Sequence, residues 1–423
     1  MKFVLDIDPK KMDEFVLNHP FNHYMKTSFW AEYEEEYEGY EKRYAGVTDE
    51  QGNLLATTIL LKKRFPYAAH PYLYIPTGMC VDYNNDELLH FFIESLKQYA
   101  REEKVTFLRI DPNVERWHKD IDGNVIDDGF NNEYITEYLK EAGFKHKGYG
   151  YAYNGSWINR FTLKIDLTPD LKTIVGRFAK RKITSIKRLE KIGAVSWRYG
   201  TEEDVKYLVM MEYDLTKKEG FKPHKPEYFR RLIRHLKEHG IFYVVEVDLE
   251  KNLAYLQKEL ESKDVQKDAN SKAKREEEIK ETEELLAKYG KTAVIGTAFY
   301  VIYGTKCWDL YIYKRNDFWP FSPTDYIHRI AVEDMKNRGV ELYDMVGFSG
   351  KTTSDDFYFG LYDYKRRFGP NYVEQIGEFD YILDQRDFDR FFFLYRNIRR
   401  VRRKIFDYYY RVKKLGKYKE EKM

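Results

Sequence analysis

Short apolar runs and alternating apolar positions recur along the first 110 residues, separated by polar turns. Runs of β-branched and aromatic residues that alternate with polar ones predict strands, whereas apolar residues spaced three or four apart predict helices. The predicted strands are residues 1–6, 40–48, 54–64, 72–75 and 105–110, and the predicted helices are residues 9–17 and 86–103. This mixture predicts an α/β (α+β) unit built on a sheet.

The same kind of pattern restarts at residue 161. The predicted strands are residues 161–165, 241–247, 293–303, 307–313 and 341–345, and the predicted helices are residues 178–193, 202–218, 226–239 and 324–338. The order strand, strand, helix, strand resembles that of the first half, with ATTILLKKRF answered by IGTAFYVIYG and VTFLRID by VELYDMV. We therefore predict two copies of one α/β unit, each with a mixed sheet.

A highly charged segment, residues 250–289, interrupts the second copy. It has few aromatic residues, dense charge of both signs and sparse apolar positions, and the sequence DANSKAK at 268–274 breaks its middle. This composition is typical of two antiparallel helices in coiled-coil style, each projecting on the order of 25–30 Å. A solvated insertion without a function is the alternative interpretation.

These patterns predict four parts of the chain. The first unit covers residues 1–155, and the second covers 156–249 and 290–390. The helical hairpin, or arm, is residues 250–289, and a basic C-terminal helix and tail follow at 391–423.

Composition narrows the class of protein. The chain has 423 residues, of which 43% are hydrophobic and 34% charged, so more than one globular domain is expected. The two cysteines, Cys80 and Cys307, lack metal or redox spacing, which favours a reduced, cytoplasmic protein. No N-terminal signal pattern and no apolar run long enough to span a bilayer is present in the sequence.

Positive charge is concentrated near the C-terminus. Residues 396–423 hold twelve Lys/Arg against three Asp/Glu, although the net charge of the whole chain is only +2. This stretch interleaves aromatics with arginines and would suit an anionic bilayer surface or tRNA. The predicted helix over 180–191 is also basic and would suit phosphates or an RNA backbone, or else it is an ordinary solvated face.

Several kinds of catalytic centre are excluded by their motifs. The stretch MVGFSGKTTS (345–354) resembles a P-loop, but Met345 stands where the first glycine is required. HExxH, paired CxxC and G-x-S-x-G motifs are missing from the sequence, as is the phosphate loop of acyl-CoA acetyltransferases. No metal and no cofactor is therefore predicted.

The stretch 360–383, GLYDYKRRFGPNYVEQIGEFDYIL, is the strongest candidate for chemistry. It holds a lysine, Lys365, among aromatic residues and delivers a carboxylate, Glu378, on the following strand. Such a cation is suited to stabilise developing negative charge. An ordinary helix-to-strand corner is the alternative.

The chain resembles the FemABX family, aminoacyl-tRNA-dependent peptidyltransferases that build the interpeptide bridge of Gram-positive peptidoglycan. The resemblance implies two acetyltransferase-like (GNAT-like) units and transfer of an amino acid from aminoacyl-tRNA to an amine of the precursor, either lipid II or its soluble nucleotide form. The segments that carry it are SFWAEY (28–33), YIPTGMCVDYNNDELLHFF (74–92), FLRIDPNVE (107–115), EAGFKHKGYG (141–150), FAKRKITSIKRLEKIG (178–193), KKEGFKPHKPEYF (217–229), ELYDMVGFSGK (341–351) and the stretch 360–383.

The resemblance also implies roles for individual residues. The candidate catalytic residues are Lys365, Tyr364, Glu378 and Asp111. Lys365 would meet the oxyanion or the ribose end of the tRNA, and the two carboxylates would handle protons or orient the amine, unless they are structural corner residues. The candidate substrate-binding residues are His224, Lys225, Tyr228, Arg181, Tyr74 and Tyr311.

Two positions depart from the family pattern. A basic residue that helps to hold the precursor's phosphates falls on Glu34, and an arginine falls on His224. A carboxylate does not bind pyrophosphate directly, so either Lys225, His224 or Arg181 is the expected substitute, or the acceptor is expected to sit differently.

The implied partners are aminoacyl-tRNA, met by helix 180–191, the arm or the C-terminal tail, and the precursor. Peripheral contact with the inner membrane surface, self-association and partner transferases are further expectations. A catalytically degenerate tRNA- or membrane-binding scaffold and an acyl-CoA N-acyltransferase are the alternative functions.

Overall fold

The computed structural model describes residues 1–65, 68–151, 156–219 and 222–407. Its strands are β1 (Lys2–Leu5), β2 (Glu41–Thr48), β3 (Leu54–Lys63), β4 (Tyr72–Ile75), β5 (Phe107–Ile110), β6 (Lys145–His146), β7 (Phe161–Asp166), β8 (Val195–Tyr199), β9 (Gly240–Asp248), β10 (Thr292–Tyr303), β11 (Lys306–Lys314), β12 (Leu342–Gly347), β13 (Asn371–Glu374) and β14 (Phe379–Ile382). Its α-helices are α1 (Pro9–Leu17), α2 (Ser28–Tyr33), α3 (Asp86–Glu102), α4 (Glu133–Glu141), α5 (Leu171–Gly176), α6 (Lys180–Ile192), α7 (Val205–Glu219), α8 (Pro226–Leu236), α9 (Leu249–Leu260), α10 (Lys263–Lys267), α11 (Ala269–Tyr289), α12 (Pro323–Asn337), α13 (Phe359–Lys365) and α14 (Gln385–Asp407).

Local signals explain the helices that match their predicted bounds. Helix α1 begins where the Asp8 carboxylate accepts the Lys11 amide and Pro9 occupies the first turn. Helix α3 begins where Asn85 caps the Leu88 amide, and its apolar stripe is buried against the first sheet.

The two sheets of the described residues have the same plan. The first runs β1-β2-β3-β4-β5-β14-β6, and the second, taken from its other edge, runs β8-β9-β10-β11-β12-β7-β13. In each, the fourth and fifth strands pair in parallel (β4 with β5, β11 with β12), whereas the other paired strands are antiparallel. The predicted fold class, two α/β units with mixed sheets, is confirmed.

The units exchange one strand. The sixth place of the first sheet is filled by β14, which follows β13 of the second sheet along the chain. The sixth place of the second sheet is filled by β7, which follows β6 of the first. Each crossing therefore ties one unit to the other.

This exchange corrects the predicted domain bounds. The segment 290–390 was expected to lie wholly in the second unit, but Phe379–Ile382 pairs with Ile110–Phe107 in the first sheet. The buried Asp380 carboxylate holds the Arg109 side chain of the neighbouring strand, which explains why β14 stays there.

Helices form three layers around the sheets. The core between the sheets takes residues from α1, α2, α7 and α8. Helices α3 and α4 cover the outer face of the first sheet, and α5, α6, α12 and α13 cover the outer face of the second. Any site between the sheets is therefore built from both units.

The predicted hairpin is present, but it lies against the second unit. Helices α9 and α11 run antiparallel, with Asn252 bonded to Thr282. Leu256 is buried, and Glu278 pairs with Arg188 of α6 at 2.8 Å. The break lies at 261–268 and not at 268–274, because Asp268 caps the start of α11.

The C-terminal helix is partly docked. Phe388, Phe391 and Phe392 of α14 surround Phe107 with ring centroids 5.2–5.9 Å away. The basic part was predicted from residue 391, yet its first turns belong to the core between the sheets. The predicted tail beyond residue 407 lies outside the described residues. Nowhere in the described helices is there a stretch with the length and apolar character that a bilayer crossing requires.

Candidate active cleft between the two sheets

A cleft of about 490 Å³ opens between the two units. Its first wall comes from the loop 20–25, Thr77 and residues 111–115 of the first unit. Its second wall comes from β7, β11 and β12, and the crossings 156–160 and 375–378 close it. Its volume suits a peptide or an amino-acid ester.

Asp111 follows β5 and lies in the first wall, only 6% exposed. Its carboxyl accepts the Tyr74 hydroxyl at 2.7 Å and the Thr77 backbone amide. Burial, and then the negative charge of Glu378, raise its pKa well above the ordinary value. A carboxyl in this state is suited to exchange a proton with an amine inside the cleft.

Glu378 lies at the crossing into β14, and its carboxylate has more hydrogen-bond partners than that of Asp111. It accepts the amides of Trp157 and Ile158 and the Lys147 ammonium, the last at 2.7 Å. The Arg109 guanidinium is also 3.6 Å away. These contacts hold the two crossings together, so the Glu378 carboxylate serves mainly to fix the structure at the edge of the cleft.

A buried arginine lies beneath these carboxylates. Arg109 is fully buried and makes two bonds to Asp380, at 2.7 and 2.8 Å. Its guanidinium also lies 4.2 Å from the Trp157 ring. This packing fixes the side chain of Trp157, which lines the cleft.

The second wall carries lysines that the sequence did not single out. In the strand ladders Asp344 is flanked by Trp308 on one side and Lys164 on the other. Lys164 reaches Glu115 at 3.0 Å, and Lys306 donates to the carbonyl of Pro20 at 2.8 Å. Burial and the nearby Lys164 lower the pKa of Lys306 to about 8. Opposite charges therefore face each other across the cleft.

Lys365 does not line the cleft in this structure. Its ammonium donates to the carbonyls of Met345, Val346 and Gly347, the last at 3.2 Å. Val346 has a positive φ of 56° where the β12 ladder shifts register, so Lys365 stabilises a bulge. Desolvation lowers its pKa, opposed by Asp309 and Asp344. Val346 lines the cleft, so this bulge separates Lys365 from it.

Two further candidates lie on the same outer face. The Tyr364 hydroxyl donates to Asp325 at 3.1 Å, and the Lys182 ammonium contacts the same carboxylate at 2.6 Å. Arg181 is exposed on α6, which packs on this outer face. The structure therefore separates Arg181 and Tyr364 from the cleft, and Arg181 does not join His224 in one phosphate site.

The other substrate-binding candidates form a cluster beside the cleft, within the core between the sheets. His224 contacts Glu212 at 2.6 Å and stacks on Tyr228, whose hydroxyl bonds that of Tyr311 at 2.7 Å. Lys225 is exposed at the start of α8. His224 is thus turned toward an acid, and Lys225 is the exposed cation of this group.

Glu34 lies at the start of a π-helical turn, among tyrosines near the same core. Burial, and then Glu38, raise its pKa to about 7. Its carboxyl is therefore partly neutral near pH 7, which lessens its repulsion of a phosphate without making it a cation.

The sequence offered one usable signal for the missed residues. Lys164 and Asp344 lie within predicted strands and Lys306 directly precedes one, and a charge on a buried strand face is unusual. Asn22, Asn113, Thr162 and Gln375 each place a buried polar atom at the cleft without a partner among the described residues, and no local pattern marks them.

The two mixed sheets of the same plan, with their shared cleft, define a protein built from two similar α/β units. The model of the FemAB family matches residues 7–396, and the chain belongs to that family.

Named relatives resemble the chain over nearly its full length. The lipid II:glycine glycyltransferase of Staphylococcus aureus is 26% identical over 407 residues, covering 90% of this chain and 93% of the relative. The crystal structure of FemX has a TM-score of 0.75 at 25% identity, covering 91% of this chain and 98% of FemX. A conserved protein of unknown function from Bacteroides thetaiotaomicron, with a TM-score of 0.50, 11% identity and coverage of 90% and 98%, shares the fold alone.

Proposed function

We propose that this protein is an aminoacyltransferase of peptidoglycan bridge synthesis. It would move an amino acid from aminoacyl-tRNA to an amine of the cell-wall precursor. Family membership and similarity to a protein named lipid II:glycine glycyltransferase support this class of reaction. The single observation that carries it is the buried Asp111 carboxyl inside a cleft large enough for a peptide amine.

In the proposed step the acceptor amine attacks the ester carbonyl of the aminoacyl-tRNA. A C–N bond forms, the C–O bond to the ribose breaks, and the amine proton passes to Asp111. Asp111 returns this proton to the departing ribose oxygen, which leaves as a hydroxyl, so charge and atoms balance. Asp111 is suited to this role because its raised pKa matches that of an amine more closely than an exposed carboxyl does.

Glu378 would act beside Asp111 by holding the crossing segments that close the cleft. Tyr74 would orient the Asp111 carboxyl through its 2.7 Å hydrogen bond. His224, Lys225, Tyr228 and Tyr311 would bind a more distant part of the precursor. Of these, Lys225 is the exposed cation.

Lys365 and Tyr364 are proposed to serve the donor side. Lys365 lies one backbone layer from the cleft, behind Val346, with its ammonium on three carbonyls. It would reach the oxyanion or the ribose if the donor displaced one of these contacts. Arg181, Lys180 and Lys187 are exposed on α6 and would meet the tRNA backbone on the same outer face.

Lipid II is the proposed acceptor, and α14 the proposed contact with the inner membrane surface. The exposed side chains of α14 include Phe393, at 62%, with Arg396 and Arg400 beside it. An apolar ring among cations suits an anionic lipid surface. Self-association through the arm is a separate expectation. Because one side of the hairpin packs on α6, a second copy would have to bind the opposite side of the hairpin.

The test is transfer of a labelled amino acid from charged tRNA to lipid II in detergent micelles, and to the soluble nucleotide precursor. We expect a labelled precursor with the wild-type chain. A protein that binds charged tRNA but labels neither acceptor would instead be the scaffold. Specific calorimetric binding of coenzyme A would favour an acyl-CoA N-acyltransferase.

A further inference from the structure

Two lysines approach the cleft from the same sheet. Lys164 of β7 and Lys306 of β11 both line it, on the face that also presents Trp308 and Asp344. By the hydrogen bonds of the described residues, Lys164 uses its ammonium on Glu115, and Lys306 uses its own on the carbonyls of Pro20 and Asn22. An ammonium has three donors, so each lysine keeps at least one for a ligand.

Polar side-chain atoms around these lysines lack partners within the described part of the chain. They are Asn22 Oδ1, Asn113 Oδ1, Thr162 Oγ1 and Gln375 Oε1. Asn22 and Thr162 are only 7% and 8% exposed, yet both line the cleft. These atoms are shielded from solvent in this structure, so a ligand in the cleft would partner them only once their side chains turn toward it. An unpartnered buried polar atom is costly, which favours such a turn.

We propose that the cleft recognises the peptide of the acceptor through a carboxylate held between Lys164 and Lys306, with the peptide's amide groups bound by Asn22, Asn113 and Gln375. This inference rests on the proposed function and specifies which group of the acceptor the cleft recognises, a carboxylate of its peptide.

The protein's own carboxylates in the cleft leave Lys164 and Lys306 able to bind a carboxylate of the ligand. Glu115 is shared with Lys164, and Asp344 lies between Trp308 and Lys164 in the ladders. Asp111 of the first wall and Glu378 of the closing crossing lie where the acceptor amine is expected. A ligand with an amine and a carboxylate would therefore match both walls.

The competing explanation is that the lysines only tie the units together. Lys164 joins β7 to Glu115, and Lys306 joins β11 to the loop 20–22, so each does span the cleft. A purely structural tie would change stability but not the choice between two acceptors. The experiment therefore measures the ratio of kcat/KM for two acceptor peptides.

The probes are synthetic acceptor peptides with one free amine, identical except that single carboxylates are replaced by carboxamides. Transfer from charged tRNA gives kcat/KM for each peptide, and the ratio between two peptides does not depend on the folded fraction of the enzyme. We expect wild type to prefer the fully carboxylate peptide over at least one carboxamide peptide by about tenfold or more, the effect of a charge-assisted hydrogen bond. Lys306→Met and Lys164→Met should bring that ratio toward one, whereas Lys140→Met on the outer helix α4 should leave it unchanged.

Two results would overturn the proposal: a wild-type ratio near one for every carboxamide, or a high ratio that both lysine variants retain. If no peptide is labelled, calorimetry with the same peptides separates the two ideas. Binding that prefers the carboxylate and is lost in Lys306→Met would support the site while the transfer function fails. No binding of any peptide would overturn the site as well.

Discussion

Asp111 and Glu378 were predicted together as carboxylates for proton handling, and their surroundings separate them. Glu378 is occupied by two backbone amides and the Lys147 ammonium. Asp111 accepts one hydroxyl and one amide, and burial raises its pKa well above that of an exposed aspartate. The free capacity of Asp111 makes it the better candidate for the proton acceptor.

Asp111→Asn should lower transfer by about 10²–10⁴-fold, the usual contribution of a general base. The sign of the pH dependence follows from the raised pKa. Below the folded-state pKa, Asp111 is protonated and cannot accept a proton, so wild-type transfer rises with pH through that value. The asparagine variant should lack this rise, which steady-state pH profiles of kcat would reveal.

Glu137→Gln, an exposed change of carboxyl to amide on α4, is the matched control for Asp111→Asn and should behave as wild type. A pH profile of Asp111→Asn that still rises as in wild type, at a similar rate, would assign the titration to another group.

Lys365 illustrates how a candidate that stands out in the sequence can be held away from the reaction. It lies in an aromatic-rich stretch of the chain, but its ammonium is bound to the carbonyls of a bulge in β12. This bulge carries Val346 into the cleft wall. Loss of Lys365 is therefore expected to affect both stability and catalysis.

Lys365→Met should lower the free energy of unfolding by about 1–3 kcal/mol, because carbonyls of a partly buried bulge lose their donor. It should also nearly abolish transfer if Lys365 contacts the donor. Urea unfolding and transfer, measured where the variant is still folded, separate the two effects. Transfer like that of wild type in Lys365→Met would remove the catalytic assignment and leave the structural one.

Strand β14 depends on a buried ion pair more than on its own four residues. Arg109 is fully buried, and Asp380 is 3% exposed. The two bonds between them join β5 to a strand that arrives from the other unit. A β-strand of only four residues can keep its place in the sheet because its detachment would leave the charge of Arg109 buried without its partner.

Asp380→Ala should therefore lower the free energy of unfolding by about 3–5 kcal/mol, the cost of leaving Arg109 buried without its partner. Glu227→Ala removes an exposed partner of Arg231 and Arg234 and should cost less than about 1 kcal/mol. Chemical unfolding of both variants tests this difference. Equal, small losses would mean that water reaches Arg109.

The charge pattern of the hairpin is explained by its packing against the basic helix α6. Its stretch around Glu276, Glu277, Glu283 and Glu284 is acidic and exposed, whereas Glu278 faces Arg188 of the basic helix α6. Part of the α6 charge is thus neutralised within the molecule. This acidic stretch is a poor contact for an RNA backbone, so the proposed tRNA contact falls to the first turns of α6.

Because β7 and β14 cross between the sheets, the two units are expected to depend on each other for folding. The first sheet lacks its sixth strand until residues 379–382 have been added, and β6 pairs only with that strand in the described sheet. Contacts this distant in sequence form slowly because their loop closure is costly.

A fragment of residues 1–155 should therefore not fold cooperatively, whereas the chain 1–407, which keeps β14, should unfold like the full protein. Adding residues 156–407 in trans should restore a folded complex. Circular dichroism during thermal unfolding and gel filtration would show this. Cooperative unfolding of 1–155 alone at the midpoint of the full chain would contradict the interdependence of the units.

Much of the secondary structure was predictable because it depends on local periodicity and caps. The bounds of α1 and β4 agree with prediction, and those of α3 differ by one residue. The prediction failed where partners are distant. The break of the hairpin was misplaced because Asp268 begins a helix there, and the polar residues of the cleft walls have no local signature.

The sequence by itself determined the repeated α/β unit, the family and Asp111 as a candidate, since these depend on apolar spacing and short motifs. Only the tertiary structure decided that β14 belongs to the first sheet, that Lys365 lies behind a bulge, and that Lys164 and Lys306 face Asp111 across one cleft. The physical reason is that strand pairing and burial join residues hundreds of positions apart. Their energies depend on which groups meet in space, and a local pattern does not record that.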